Sequence, residues 1–332
     1  MLRLPPVRLL SPRALAEAVA AKAEHGTRAA YLAGGTDLVP KLKRRQQEPE
    51  LLVRVDHLAE LRGSRNLGDA MEIGSATTLA ALAREPAIRD RWPALAHAAA
   101  QVGNPLVRNR ATLGGNVCLE TRCSYYDQSL EWREAIHFCL KKDGDACRVA
   151  ASSERCWAIQ ASDTAPVLIA LGARIALCGS RGTRYVDAGA FYRDDGIQFL
   201  EKQPDELVTG VRLSRVKDAE ATYLKVSRRM SVDFPLLSVA AWIRREAPQG
   251  PVLEARLVLG AVGSAPVLVP EAARALVGQP LGRDSIQRAA EAAWRRARPL
   301  DNADESALWR KKAVRPYVTR ALEQLASPRA SA

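Results

Sequence analysis

Four of the six cysteines lie within one polar stretch of the chain, ETRCSYYDQSLEWREAIHFCLKKDGDACRVAASSERCW, residues 120–157. They are Cys123, Cys139, Cys147 and Cys156. Leu, Ile and Val are sparse in this stretch, so it cannot bury much apolar core of its own. We therefore expect something other than apolar packing to hold the segment together.

The compartment limits what the four thiols can do. The N-terminal sequence has prolines where a signal peptide needs a continuous apolar region, and no run approaches the roughly eighteen apolar residues of a membrane span. We expect a cytoplasmic protein without a membrane partner, in which disulfides are disfavoured. Structural zinc usually has a tight C-x2-4-C pair, which is absent here, whereas a loose loop can hold an iron–sulfur cluster. Soft thiolates suit both metals, so the residues alone leave zinc and iron–sulfur equally open.

The chain is basic, with 49 Lys and Arg against 37 Asp and Glu and a net charge of +12. The basic residues are scattered, with small clusters at KLKRR, SRR and WRRAR. No basic helix interleaved with aromatics, zinc-finger pattern or helix-turn-helix pattern is present, so no nucleic-acid partner is expected. The charge indicates a solvated surface, with an acidic protein partner as the alternative.

Local patterns predict the order of helices and strands. The segment SPRALAEAVAAKAEHG predicts a helix capped by Ser11 and ended by Gly26. The segment ASDTAPVLIALGARIALC predicts a helix capped by Ser162 and then a strand ending at Cys178. From about residue 217, three predicted strands are followed by three predicted helices, which is typical of a separate α+β domain.

Two Gly-Gly turns, AGGTD (residues 33–37) and TLGGN (residues 112–116), are each predicted to follow an apolar strand. Glycines let a backbone approach a ligand closely and expose N–H groups, which can bind phosphates without a lysine. One such turn is more often an ordinary tight turn. Two in one domain favour a pyrophosphate site.

Five segments resemble, in order, the signature segments of the FAD-binding medium subunits of the xanthine dehydrogenase and molybdenum hydroxylase family. They are YLAGGTDLVPKLK, IGSATTL, RNRATLGGN, SDTAPVLIALGARIAL and YLKVSRRMSVDFPLLSVAA. The resemblance implies an α+β fold with a two-part FAD-binding domain of the PCMH, or vanillyl-alcohol oxidase-like, type. Its subdomains would be residues 1–58 and 59–216, with an inserted iron–sulfur loop at about 118–160. A CO-dehydrogenase-flavoprotein-like α+β domain would follow at 217–332.

The same resemblance implies the FAD site. Residues 31–38 would contact the pyrophosphate from one side and residues 112–116 from the other. Asp163 would hold the adenosine part, although the helix dipole also favours an Asp there. Lys225 would lie near the flavin, with Leu207 and Val208 near the isoalloxazine. The full predicted set is Tyr31, Leu32, Ala33, Gly34, Gly35, Thr36, Asp37, Leu38, Val102, Thr112, Leu113, Gly114, Gly115, Asn116, Asp163, Leu207, Val208 and Lys225.

The cysteine segment lies between Asn116 and Asp163, where ordinary medium subunits have only a short loop. An inserted four-cysteine loop at this place is similar to that of the β subunits of 4-hydroxybenzoyl-CoA reductases, which carry FAD and a [4Fe–4S] cluster. By that resemblance the cluster ligands are Cys123, Cys139, Cys147 and Cys156. Cys118 and Cys178 are expected to be buried small residues, with Cys118 as a substitute ligand and His137 as a weaker rival.

The resemblance implies an oxidoreductase subunit that is inactive alone and has no catalytic residue of its own. Electrons would pass from reduced ferredoxin through [4Fe–4S] and FAD to [2Fe–2S] centres in a small subunit. A large molybdenum subunit would then dehydroxylate an aromatic CoA thioester during the degradation of aromatic compounds, in a dimer of heterotrimers. One alternative is a hydroxylase subunit that passes electrons outward to NAD or another acceptor. Another alternative is a flavoprotein scaffold component stabilised by a structural zinc ion.

Overall fold

The computed structural model describes residues 3–247 and 249–327. Residues 1–2, 248 and 328–332, which the predicted domains include, lie outside the described residues. Within the described ranges the strands are β1 (Arg8–Leu10), β2 (Ala29–Leu32), β3 (Leu51–Arg54), β4 (Ser64–Asn66), β5 (Ala70–Gly74), β6 (Arg174–Gly179), β7 (Gly182–Asp187), β8 (Leu207–Ser214), β9 (Ala219–Val226), β10 (Leu237–Arg244), β11 (Glu254–Gly260) and β12 (Val267–Leu268).

The helices of the described residues are mostly short. They are α1 (Leu15–His25), α2 (Leu38–Lys43), α3 (Leu79–Arg84), α4 (Pro86–Arg91), α5 (Pro93–Ala100), α6 (Pro105–Arg108), α7 (Leu113–Val117), α8 (Leu130–Ala135), α9 (Thr164–Ala170), α10 (Ala188–Phe191), α11 (Pro270–Leu276), α12 (Arg283–Arg296) and α13 (Ala307–Ala326), with 3-10 turns at Gly26–Arg28 and Ala59–Leu61. None of them is long and apolar enough to cross a bilayer.

The strands form three sheets. A parallel sheet has the order β1-β3-β2, a five-stranded antiparallel sheet the order β4-β5-β8-β6-β7, and a four-stranded antiparallel sheet the order β12-β11-β10-β9. Helices α11 to α13 follow the last sheet along the chain and bury its apolar face. The predicted α+β class is therefore confirmed.

Two local predictions were wrong. Helix α1 begins at Leu15, after Ala14, and Ser11 does not cap it. The carboxylate of Glu60, from a distant turn, instead accepts the N–H of Leu15 at 2.8 Å. The second Gly-Gly turn follows no strand, because Thr112 caps helix α7 directly and its hydroxyl accepts the N–H of Gly115.

Candidate flavin and cysteine sites

The first Gly-Gly turn connects β2 to α2 and leaves its backbone donors unused. A Cβ on Gly34 would lie 2.0 Å from the carbonyl oxygen of Arg110, so only glycine allows this approach. Gly35 has φ +72°, a conformation that glycine adopts without strain. Within residues 3–247 and 249–327, the N–H groups of residues 34–37 find no acceptor. Consecutive free N–H groups of this kind form an anion-binding concavity.

The second Gly-Gly turn uses its amides differently. Gly114 donates its N–H to the carbonyl of Ser75 at 2.8 Å, and a Cβ on Gly114 would lie 2.7 Å from the Ser75 Cβ. Gly115 donates to the Thr112 hydroxyl at 3.1 Å. Because Gly34 packs against the backbone just before this turn, the two turns lie side by side. The backbone N–H groups that have no acceptor, however, are those of the first Gly-Gly turn.

Asn116 ties the second turn to helix α9. Its Oδ1 accepts the Ser162 hydroxyl at 2.8 Å, the Thr164 hydroxyl at 2.7 Å and the Thr164 N–H at 3.1 Å. All three partners are buried. Asn116 therefore fixes the start of α9, and with it the position of Asp163.

Asp163 and Lys225, both predicted near the FAD, contact each other. The Lys225 Nζ lies 3.2 Å from the Asp163 Oδ1, and the Tyr223 hydroxyl donates to the same oxygen at 2.7 Å. Burial raises the pKa of Asp163, while the Lys225 ammonium and the Tyr223 hydroxyl oppose that rise. Lys225 also donates to the carbonyls of Gln101 and Asp233. The pair thereby joins the FAD-binding region to the C-terminal sheet.

The apolar residues predicted near the isoalloxazine lie inside the protein cores. Leu207 packs in the N-terminal core and Val208 in the main core, both at the start of β8. Val102 is partly buried against the main core. Their contact with a flavin stays a prediction.

The cysteine insertion is closed at its base by a pair of backbone hydrogen bonds. Arg122 donates its N–H to the carbonyl of Ile159 at 2.8 Å, and Ile159 donates back to Arg122 at 2.6 Å. The chain therefore leaves the FAD-binding domain and returns to it at one point. Within the insertion the structure has one helix, α8, capped by Ser129.

The four inserted cysteines line one small buried cavity, each with 5% to 7% of its surface exposed. The other lining residues are Tyr125, Tyr126, Leu140, Lys141, Arg148, Val149 and Ala158. Burial raises the pKa of the Cys123 thiol to about 12, although backbone N–H groups of Tyr125 and Tyr126 oppose it. Such thiols would ionise at neutral pH only with a positive group beside them.

Two glycines allow the backbone to come close to the cysteines. A Cβ on Gly144 would lie 2.7 Å from the backbone nitrogen of Cys139. A Cβ on Gly196 would lie 2.6 Å from the Cys156 sulfur, and Gly196 donates its N–H to the Cys156 carbonyl. Gly196 lies outside the insertion, and no local sequence signal connects it to the cysteines.

A buried chain of charges connects the two predicted cofactor sites. Lys41 Nζ lies 3.3 Å from Asp37 in the first glycine turn and 2.6 Å from Glu120. The other oxygen of Glu120 lies 3.1 Å from Lys141, which lines the cysteine cavity. Burial opposes ionisation of Glu120, but the ammonium groups of Lys141 and Lys41 outweigh it and hold the pKa at about 2. No local sequence signal indicated this bridge, which we call the ionic bridge.

The remaining candidate ligands lie away from the cavity. His137 is exposed, and Cys118 packs against the main core, where burial raises the pKa of its thiol to about 11. Cys178 lies on β6. Across residues 3–247 and 249–327, no group of three or more His, Cys, Asp or Glu is close enough together to hold a single metal ion.

Comparison with known proteins identifies the family. A family described as the FAD binding domain in molybdopterin dehydrogenase matches residues 5–215, and one described as the CO dehydrogenase flavoprotein C-terminal domain matches residues 222–325. The first match covers more than half of the chain, which therefore belongs to the FAD-binding subunits of the molybdopterin dehydrogenase family. The predicted family, its fold and FAD as its cofactor are thereby confirmed.

Individual relatives cover almost the whole chain. It is 25% identical over 312 residues to the carbon monoxide dehydrogenase medium chain of Hydrogenophaga pseudoflava, with 94% of each chain covered. It is 27% identical over 280 residues to a putative xanthine dehydrogenase FAD-binding subunit of Escherichia coli, covering 83% of this chain and 81% of that one. A crystal structure of the Cu,Mo-CO dehydrogenase matches with a TM-score of 0.81 and 24% identity over 98% of this chain and 99% of that one.

The first glycine turn of this FAD-binding subunit fits an FAD pyrophosphate. Its free N–H groups would hold the phosphate oxygens, and the second turn, packed against it, would fix its shape. Two cations pair with Asp37 in this turn, Arg122 at 3.1 Å and Lys41 at 3.3 Å. The assignment of individual FAD contacts remains a prediction.

Proposed function

We propose that this chain is the FAD- and [4Fe–4S]-carrying β subunit of a cytoplasmic molybdenum enzyme resembling 4-hydroxybenzoyl-CoA reductase. One observation supports the proposal above the others. Cysteines far apart along the insertion meet at one buried cavity, next to an FAD-binding domain. Family membership alone would support FAD but gives no reason for the four thiols.

The donor set suits a cubane cluster, which four Cys thiolates from a loose loop can hold. Beside an FAD-binding domain an electron carrier has a use, whereas a zinc ion carries no electrons. The Ala158 N–H lies 3.4 Å from the Cys156 sulfur, as a donor to a thiolate would. Burial raises the pKa of the Cys156 thiol, while that N–H and the Lys141 ammonium oppose the rise. Such donors also tune the potential of a cluster.

When bound, the cluster and FAD would supply electron carriers between reduced ferredoxin and the [2Fe–2S] centres of a small subunit, serving dehydroxylation at a large molybdenum subunit. The chain's own residues would position both groups. The ionic bridge connects Lys141 beside the cysteines to Asp37 in the first glycine turn, so the two sites hold a fixed relative position. We propose a dimer of heterotrimers, inactive without its partners.

The names of the relatives favour a second candidate function. They include carbon monoxide, xanthine and nicotinate dehydrogenases, which indicates a subunit that passes electrons outward from a substrate. The purified complex separates the two functions. Consumption of 4-hydroxybenzoyl-CoA driven by reduced ferredoxin would support the reductase. Substrate-dependent reduction of NAD in the absence of ferredoxin would support the dehydrogenase.

The composition of the purified protein tests the cluster directly. Anaerobically purified chain should contain about four iron and four acid-labile sulfide atoms per FAD. Cys139→Ser should lose them, while Cys178→Ser, a matched change outside the cavity, should keep them. Zinc, or FAD without metal, would contradict the proposal and return the chain to the ordinary FAD-binding subunits.

A further inference from the structure

A broad basin separates the cysteine insertion from the C-terminal domain. Its volume is about 910 Å³. The residues lining it are Arg155, Trp157, Asp194, Val262, Gly263, Val267, Glu271, Arg288, Glu291, Ala292, Arg295, Arg296, Arg298 and Leu300. None of these residues lines the cysteine cavity or belongs to the glycine turns.

The wall of the basin carries one of the proposed cluster ligands. Arg155 and Trp157 flank Cys156 in the chain, and both line the basin. The Ser264 hydroxyl donates to the Cys156 carbonyl at 3.4 Å, and the Asn302 amide donates to the Trp157 carbonyl at 2.6 Å. The backbone at Cys156 therefore separates the basin from the cysteine cavity. A molecule in the basin would lie one residue away from a cluster ligand.

The basin has a positive surface. Its lining includes five arginines and three carboxylates. Each carboxylate already pairs within the chain: Asp194 with Arg155 at 2.9 Å, Glu271 with Arg274 at 3.5 Å, and Glu291 with Arg295 at 3.1 Å and Arg315 at 2.7 Å. Arg296 and Arg298 are exposed and have no ion pair among the described residues. These two charges are available to a partner.

The arrangement fits a protein partner better than a small anion. A small-ligand site usually has a few buried polar groups aimed at one point. Here Arg288, Arg295, Arg296 and Arg298 are all exposed, so they spread positive charge over a wide surface. Arg and Trp are enriched at protein interfaces, and Trp157 lines this surface with the Arg155 guanidinium 3.6 Å from its ring centre.

We propose that the basin is the docking site of an acidic electron-carrier protein, placed so that its redox centre faces Cys156. The inference rests on the proposed function, because it assigns the cluster held by Cys156 as the point of electron entry. Opposite charges raise association rates by about 10- to 1000-fold and make them depend on salt. Docking on Arg296 and Arg298 should therefore be visible in the association rate.

The test compares two double charge reversals in the complete, anaerobically purified complex. Arg296→Glu/Arg298→Glu changes the basin, while Lys312→Glu/Arg320→Glu makes the same charge change on exposed positions of α13 outside it. The probes are a reduced acidic plant-type ferredoxin and reduced methyl viologen. At low ionic strength, the basin variant should be reduced by ferredoxin at least about tenfold more slowly and with weaker salt dependence. Its reduction by methyl viologen should not slow, and the control variant should behave as wild type.

The outcomes separate docking from the cluster assignment. Unchanged ferredoxin rates in the basin variant, with about four iron atoms per FAD retained, would overturn the docking site and leave the proposed function standing. If the wild type holds no iron, the proposed function fails, and calorimetric titration with the same ferredoxin still tests docking. A tenfold weaker affinity of the basin variant supports docking there. Equal ferredoxin affinity of the wild type and the basin variant overturns it. ADP is the probe for a small-anion site: if the wild type binds ADP and only the basin variant does not, the docking site is overturned as well.

Discussion

The cysteine insertion and the C-terminal domain are stabilised in different ways. In the C-terminal domain, β9 to β12 and helices α11 to α13 enclose a continuous apolar core that includes Leu237, Val239, Val318 and Leu322. The insertion buries only a small cluster, made of Cys123, Tyr126, Cys139, Cys156 and Ala158. One region is stabilised mainly by the hydrophobic effect. The other is held by a small buried cluster, a backbone hydrogen-bond pair and buried charges.

This difference should make the insertion responsive to the proposed cluster. A region with little apolar core opens locally at low cost, whereas one inside a large core opens only with the whole domain. When thiolates hold a metal group, the binding free energy becomes folding free energy for that region. If the proposed cluster is bound there, the insertion should gain or lose its order with it, and the C-terminal domain should not respond.

Removing one proposed ligand should give the largest effect. In Cys147→Ala, we expect backbone amides of residues 139–147 to exchange hydrogen roughly 10,000-fold faster, which corresponds to about 5.4 kcal/mol of lost local stability. Amides of β10 and β11 should exchange as in wild type. Hydrogen–deuterium exchange followed by mass spectrometry measures both. Cys178→Ala is the control, and equal exchange of residues 139–147 in the two variants would mean that no ligand orders the insertion.

Breaking the ionic bridge should be the next largest effect. Glu120→Gln leaves the ammonium groups of Lys41 and Lys141, 1% and 4% exposed, without their shared carboxylate. Removing one partner of a buried ion pair typically costs about 3–5 kcal/mol. We expect a loss of this size in urea denaturation followed by flavin fluorescence.

A surface ion pair in the C-terminal domain provides the control for that loss. Glu254→Gln breaks the pair with Arg244, whose side chains are 51% and 33% exposed, and should cost less than about 1 kcal/mol. If both variants lose the same small amount, the bridge does not hold the insertion against the FAD-binding domain. The insertion and the C-terminal domain would then differ only in the cysteines of the insertion.

The parts of the fold that the sequence predicted correctly depend on local signals. The Ser162 hydroxyl accepts the N–H of Ala165 at 3.1 Å, as its place before an apolar helix indicated. The three strands and three helices after residue 217 are also present, because each carries a complete apolar face in its own segment. Such features need no knowledge of the rest of the chain.

The features that the sequence did not predict depend on distant residues. Glu60, and not Ser11, accepts the backbone N–H at the start of α1. Gly196, which lies outside the insertion, leaves room for the Cys156 sulfur because it has no side chain. Lys41, Glu120 and Lys141 look like ordinary surface charges until the fold buries them together. The cysteines were found because their residue type is rare and reactive, and the ionic bridge was missed because its residue types are common.

The pH dependence of the ionic bridge should give the smallest measurable effect. The folded chain holds the pKa of Glu120 at about 2, below its ordinary value of 4.5. Its ionised form therefore stabilises the fold fully above pH 4.5, and this contribution is lost as the pH falls toward 2. Between pH 7 and pH 4 the loss should be about 0.8 kcal/mol in wild type and absent in Glu120→Gln. The stability difference between the two should narrow by that amount, whereas Cys178→Ala should keep a constant difference from wild type. A constant difference for Glu120→Gln as well would mean that Glu120 carries no extra charge stabilisation, and that the insertion is held by its thiols and not by the bridge.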